Sequence, residues 1–216
     1  MTQFRTTSLL FIAFFCFAIS LSAHDLVEVR LINPRIQVDM RYATDNNALG
    51  RAIYPFPGCF LVREVAEKLS KVQRELEKEG YGLIIFDAYR PRSMQSFLQV
   101  EDESHDSNTI MKCVVEDESG HNRGTAVDVA LICLSGYLPE MPSEFGDPTE
   151  RARRNCLTHS AHIYHNSHKL EQAMKRQGFC PSPQEWWHFD YCGWCGYPIL
   201  DVQFEDLVQF QPRCRW

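Results

Sequence analysis

The chain has 216 residues, 44% of them hydrophobic and 23% charged, and a formal net charge of −6. That length and apolar content suit one domain with its own core. The acidic balance and the lack of any basic run argue against nucleic acid as a partner.

Residues 1–23 carry a single charge, Arg5, followed by the apolar run LLFIAFFCFAISL and the small residues of SLSA. A basic start, a short apolar stretch and a small-residue site are the pattern of a cleaved export signal. The run is also shorter than the roughly 20 residues that span a membrane. We expect cleavage near Ser22 or Ala23, one domain over 24–216, a periplasmic or secreted location and no stable membrane insertion afterwards. Losing Arg5 turns −6 into −7, and losing Cys16 leaves eight of nine cysteines. An even number in an exported chain favours a disulfide framework, whose pairing the sequence leaves open. Cys192 and Cys195, in CGWC, have redox-motif spacing but follow a strand pattern instead of opening a helix, so each is read as a structural cysteine with another partner.

In LVREVAEKLSKVQRELEKEG, Leu61, Val62, Val65, Leu69, Val72 and Leu76 recur at helical spacing, and Gly80 marks the stop. YGLIIFDAY then reads as a buried strand, and RPRSMQSFLQ as a turn into a helix with Pro91 at its first position. SGHNRGTAVDVAL reads as a loop running into a strand. From Thr125 the side chains alternate, so Asp128 shares a face with Ala126 and Ala130, two small neighbours that keep it clear. Gly124 supplies the backbone freedom to fold the preceding segment over that face and bring His121 level with Asp128. A further helix covers SAHIYHNSHKLEQAMKRQ and ends at Gly178; EWWHFDY follows as an aromatic-rich strand. The mixed, irregular order predicts an α+β fold, a mainly antiparallel sheet with flanking helices and a metal site in a cleft on the sheet.

Alternation in the last strand puts His188 and Asp190 on one face, while Pro181 and Pro183 place Glu185 in the bend entering it. His121, Asp128 and His188 can fill three positions of a tetrahedral zinc and leave the fourth for water, with Glu185 as a nearby base that is not a ligand. His159, His162, His165 and His168 form a second group three residues apart. Spacing of three drifts around a helix, so they read as a solvated helix side.

SGHNRGTAVD and EWWH carry the S-x-H-x-x-G-x-A-x-D and E-x-x-H signatures. On these motifs, together with DMRYATDNNALGRAIY, DAYRP and KLEQAMKRQGF in the same order, the chain resembles the VanX-type D-alanyl-D-alanine dipeptidases, zinc enzymes related to the D,D-carboxypeptidases. The resemblance implies one Zn²⁺ per chain on His121, Asp128 and His188, Glu185 as general base, and Arg90 answering the oxyanion. It implies that Ser119 bonds the carboxylate of a small D,D-dipeptide and that Tyr42 walls the pocket. One departure concerns the substrate ammonium: the family places an acid directly after a phenylalanine, whereas MPSEFGDPTE has Gly146 after Phe145 and the acid at Asp147. The alternatives are a D,D-carboxypeptidase or L,D-type peptidase acting on longer wall peptides, or a zinc-stabilised wall-binding module without turnover.

Overall fold

The computed structural model describes residues 25–99, 119–156 and 158–209, so the expected leader over 1–23 lies outside the described residues. In chain order the elements are β1 (Leu26–Glu28), α1 (Val29–Ile32), β2 (Gln37–Val38), β3 (Phe60–Val62), α2 (Arg63–Glu77), β4 (Tyr81–Asp87) and α3 (Arg92–Gln99). After these come β5 (Ala126–Cys133), α4 (Ala161–Arg176), β6 (Phe179–Pro181), β7 (His188–Tyr191) and α5 (Phe204–Gln209). The fold is α+β, as the alternation of strand and helix patterns predicts.

A five-stranded sheet runs in the order β2-β4-β5-β7-β6, and β1 pairs with β3 in a separate ribbon. Only β2 against β4 is parallel; the other three pairings are antiparallel. The two longest strands, β4 and β5, are the most apolar and lie side by side near the centre, their residues almost all buried. Helix α2 sets Val65, Ala66, Leu69, Val72 and Leu76 into the core against β4, and α4 packs against α2, β5 and β6. Positive φ at Gly80 (82°) and Gly178 (88°) turns the chain out of each helix where the sequence predicts the stops.

Three boundaries differ from the sequence reading. Leu61 and Val62 belong to β3 and not to the helix, because pairing with Val27 and Leu26 of β1 outweighs their helical spacing. Pro91 stands one residue before α3, its carbonyl accepting from the Met94 amide. The last strand starts only at His188, because Glu185–Trp187 make a turn in which the His188 amide donates to the Glu185 carbonyl.

Cys180 on β6 is disulfide-bonded to Cys192, just past β7, so Cys192 has a partner other than Cys195. Cys59, Cys133, Cys156 and Cys195 are thiols, which narrows the expected framework to one bond among the described residues. No helix among those residues is long and apolar enough to cross a membrane.

Candidate active site

Two adjacent strands and one turn build the site. Asp128 of β5 lies directly opposite His188 of β7, and Ala126 opposite Asp190, so these side chains share one face of the sheet. Gly124, at φ 68°, ends the 3-10 turn His121–Arg123 and reverses the chain into β5. A side chain there would meet Leu26 at 2.5 Å, so glycine is required by contact as well as by φ. The reversal carries His121 over Asp128, as the spacing and Gly124 predict.

The donors converge. His121 Nε2 lies 3.4 Å from Asp128 Oδ1, His188 Nδ1 lies 3.0 Å from the same oxygen, and the two imidazole nitrogens are 3.2 Å apart. All three can offer one ligand atom within 4.8 Å of one another. The outer nitrogens are committed: His121 Nδ1 bonds the Ala88 carbonyl at 2.6 Å, and His188 Nε2 bonds Asp190 Oδ2 at 3.3 Å. Each ring therefore turns its remaining nitrogen inward, the arrangement that fixes tautomer and orientation in metal sites. Burial acts to raise the Asp128 carboxyl, yet the two imidazoles, His121 foremost, hold it below the usual carboxylate range. Burial acts to lower His188, and its bonds to Asp128 and Asp190 raise it instead. The centre of the triad favours positive charge, and two imidazoles with one carboxylate fit a divalent cation of zinc type.

Beside the triad, the end of β4 is bent by a bulge between Ile85 and Asp87 that sets Asp87 opposite Asp128. The chain then leaves the sheet through Ala88 and Tyr89 to Arg90, whose amide donates to the His121 carbonyl at 3.0 Å. The Arg90 carbonyl accepts from Asn122 Nδ2 at 2.9 Å. The Arg90 guanidinium is buried, with Asp87 Oδ2 at 2.6 Å, Gln95 Oε1 at 2.9 Å and the Tyr54 hydroxyl at 3.4 Å. Burial opposes its charge, but Asp87 outweighs that and raises the pKa. Arg90 is thus no surface ion pair. Five N–H donors, three of them engaged, leave two for a ligand.

Tyr42, in the 3-10 turn Arg41–Ala43, holds its ring 5.5 Å from the Arg90 guanidinium, and its carbonyl accepts from the amides of Ile53 and Tyr54. Burial raises its phenol. Ser119 Oγ accepts from the His121 amide at 3.2 Å. Asp147 Oδ1 accepts from the Thr149 amide at 2.8 Å, following Gly146 at φ 78°. It lines a cavity of about 500 Å³ shared with Arg41, Phe86, Phe145, Arg151 and Trp186. Phe145 packs between this cavity and the pocket wall, its ring 6.0 Å from Tyr42 and 5.4 Å from Trp187. Glu185 sits in the bend before β7, where burial raises its carboxyl against the opposing pull of His188, and Asp128, His121 and Arg90 also act on it. Its carboxylate makes no hydrogen bond to another described residue.

Residues 22–207 match the M15 peptidase family described as D-ala-D-ala dipeptidase. The chain belongs to this family. An Escherichia coli K12 protein called D-alanyl-D-alanine dipeptidase is 31% identical over 184 residues, 85% of this chain and 93% of that one. One of the same name from Enterococcus faecium is 32% identical over 171 residues, 71% and 85% of the two chains. A crystal structure titled vancomycin resistance D,D-dipeptidase VanXYg, in complex with a D-Ala-D-Ala phosphinate analog, overlaps at TM-score 0.42 and 18% identity. That overlap covers 72% of this chain and 61% of the other. M15 peptidases are metalloenzymes, and among the described residues His121, Asp128 and His188 are the group that could hold a metal ion.

Sequence reasoning missed the residues that hold the M15 site in place. Asp190 was put on the face of His188 but given no role. Its Oδ1 is buried without a hydrogen bond, and a Cβ on Gly120 would stand 2.2 Å from it. Gly120 is therefore the gap that admits this carboxylate. Asp87, at the end of an apolar strand and fully buried, holds Arg90 and also bonds the Tyr54 hydroxyl at 2.9 Å. A carboxylate closing such a strand was the available signal, since burying it needs a partner.

Proposed function

We propose that this M15 peptidase hydrolyses the D-alanyl-D-alanine dipeptide to D-alanine, using one Zn²⁺ held by His121 Nε2, His188 Nδ1 and Asp128. The observation that carries the reading is the convergence of three inward donors whose outer atoms are already committed. When bound, a zinc ion there lowers the pKa of its water to about 7. Glu185 accepts the proton of the attacking water and returns it to the leaving amine. Burial raises the pKa of its carboxyl, which makes it a stronger proton acceptor than an ordinary glutamate. Arg90, its guanidinium held by Asp87 and Gln95, directs its two remaining donors at the carbonyl oxygen as negative charge develops there. Ser119 bonds the substrate carboxylate, Tyr42 walls the pocket, and the second oxygen of Asp147 meets the substrate ammonium. A wall-binding module has no use for a half-buried carboxylate beside the triad that bonds no other described residue.

We also propose export, on the strength of the leader-like composition of residues 1–23 and the Cys180–Cys192 bond, which an oxidising compartment preserves.

The test is to incubate the purified protein and zinc with D-Ala-D-Ala, L-Ala-L-Ala and an acylated tripeptide ending in D-Ala-D-Ala. Cleavage of the first alone is the expected result, and cleavage of the tripeptide alone replaces this reading with a carboxypeptidase. Glu185→Gln retains one zinc per chain and lowers kcat by about 10²- to 10⁴-fold, the usual worth of a general base.

A further inference from the structure

Glu185 lies at the crest of a seven-residue bend, Ser182 to His188, that also delivers His188 to the triad. The bend is closed at its base by the Ser182 amide donating to the His188 carbonyl at 3.1 Å. A single side chain from elsewhere in the chain grips both ends of it. Arg154 Nε donates to the Ser182 carbonyl at 2.6 Å, and Arg154 Nη2 donates to the His188 carbonyl at 3.0 Å. The backbone around Arg154 grips the middle: its amide donates to the Pro183 carbonyl at 3.3 Å, and the Ala152 carbonyl accepts from the Trp186 amide at 2.9 Å.

The guanidinium is itself fixed. Only 10% of its side-chain surface is exposed, its Nη1 lies 3.6 Å from Glu171 Oε2 on α4, and its plane sits 4.3 Å from the Phe189 ring. A planar fork can span two carbonyls in this way, and a lysine ammonium on a flexible stem cannot hold both in one geometry. The Glu185 carboxylate, by contrast, makes no hydrogen bond to another described residue, so the backbone that bears it sets where it lies.

From these contacts, and resting on the function proposed above, we infer that Arg154 is a positioning residue for catalysis, holding the bend so that Glu185 meets the attacking water. Its only contact with a triad residue is the bond to the His188 backbone carbonyl, away from the imidazole. Displacing a base by about 1 Å can cost on the order of 10²-fold in rate while leaving substrate binding intact. The effect of Arg154 therefore falls on kcat, not on KM or on metal content.

The experiment compares the zinc-loaded wild type with Arg154→Ala and Arg154→Lys. We expect kcat on D-Ala-D-Ala to fall about 10- to 100-fold in Arg154→Ala, with KM within about twofold and one zinc retained. Arg154→Lys recovers only part of the loss, and methylguanidinium added to Arg154→Ala raises kcat several-fold without affecting the wild type. Hydrogen exchange followed by mass spectrometry is read on the same proteins: in Arg154→Ala the segment 182–191 exchanges faster, while 126–133 stays as in the wild type. Unchanged kcat, a loss confined to KM, loss of zinc, or equal exchange in both segments each overturns the inference. If wild type fails to cleave the dipeptide, the substrate reading fails, and the exchange data still decide whether Arg154 holds the bend. Should Arg154→Ala not fold, Arg154→Lys alone decides, since full kcat in that variant removes the need for the fork.

Discussion

The protein holds histidines in two settings, and the contrast separates a group that could hold a metal ion from a solvated helix side. His121 gives its outer nitrogen to the Ala88 carbonyl and His188 gives its own to Asp190, and each keeps the inner one for the triad. On and beside α4, His162, His165 and His168 are exposed. His162 spends its Nε2 on Glu140 and lies 3.0 Å from Ser160 through Nδ1, His159 bonds the Arg151 carbonyl, and His168 stacks on Tyr164. Among the described residues only the first group brings three ligand atoms together. Both settings supply imidazoles, whereas inward nitrogens converging on one carboxylate belong to one.

The widest test of this contrast removes ligands from each group in turn. His188→Ala and Asp128→Asn abolish stoichiometric zinc binding, measured by elemental analysis after dialysis, while the triple change of His162, His165 and His168 to Ala leaves it intact. Equal losses from both groups would show that the two differ less than their geometry implies.

A finer test reaches one residue behind the ligand. Asp190→Asn weakens zinc affinity by about 10- to 100-fold in a chelator competition, as loss of an outer carboxylate does elsewhere. Gly120→Ala presses a methyl group onto Asp190 Oδ1 and onto Ala126, the latter at 2.9 Å. We expect it to cost about 1 to 3 kcal/mol of stability in urea titration and to weaken zinc in the same direction as Asp190→Asn.

The smallest effect lies at the far end of β7. Tyr191 and Tyr197 donate to the Glu64 carboxylate at 2.7 and 3.0 Å, and these bonds, Tyr191 first, lower its pKa. A carboxyl whose folded pKa is depressed adds stability above its unfolded pKa and loses it as pH falls through the folded value. Glu64→Gln should therefore narrow the difference in stability between neutral and acidic pH, by less than about 1 kcal/mol because the group is exposed. Thermal melts at pH 7 and pH 4 measure it, and a variant with the same difference as wild type would show that the two bonds carry no net stability.

Much of the site is legible locally. Period-two alternation placed Asp128 on a clear face, Gly124 announced the reversal that brings His121 back, and the two prolines moved Glu185 out of the strand. Leu61 and Val62 were misplaced because their helical spacing competes with a strand partner more than thirty residues away. Asp190 and Arg154 stayed without roles for a related reason: each acts through an atom that the sequence reveals only once the strands are in register.

What the sequence alone determined is therefore the set of chemical groups and the local turns that aim them, since φ, ψ and side-chain alternation are properties of neighbouring residues. Tertiary structure decided which nitrogen of each histidine faces inward, how the bulge turns Asp87 toward Arg90, that Cys192 bonds Cys180, and that Arg154 clasps the Glu185 bend. Those outcomes join residues 33, 60 or 34 positions apart, as in His121 with Ala88, His188 with Asp128 and Arg154 with His188. Hydrogen bonds of that span form only after strand order and register have brought the partners within about 3 Å, and no short stretch of chain carries that information.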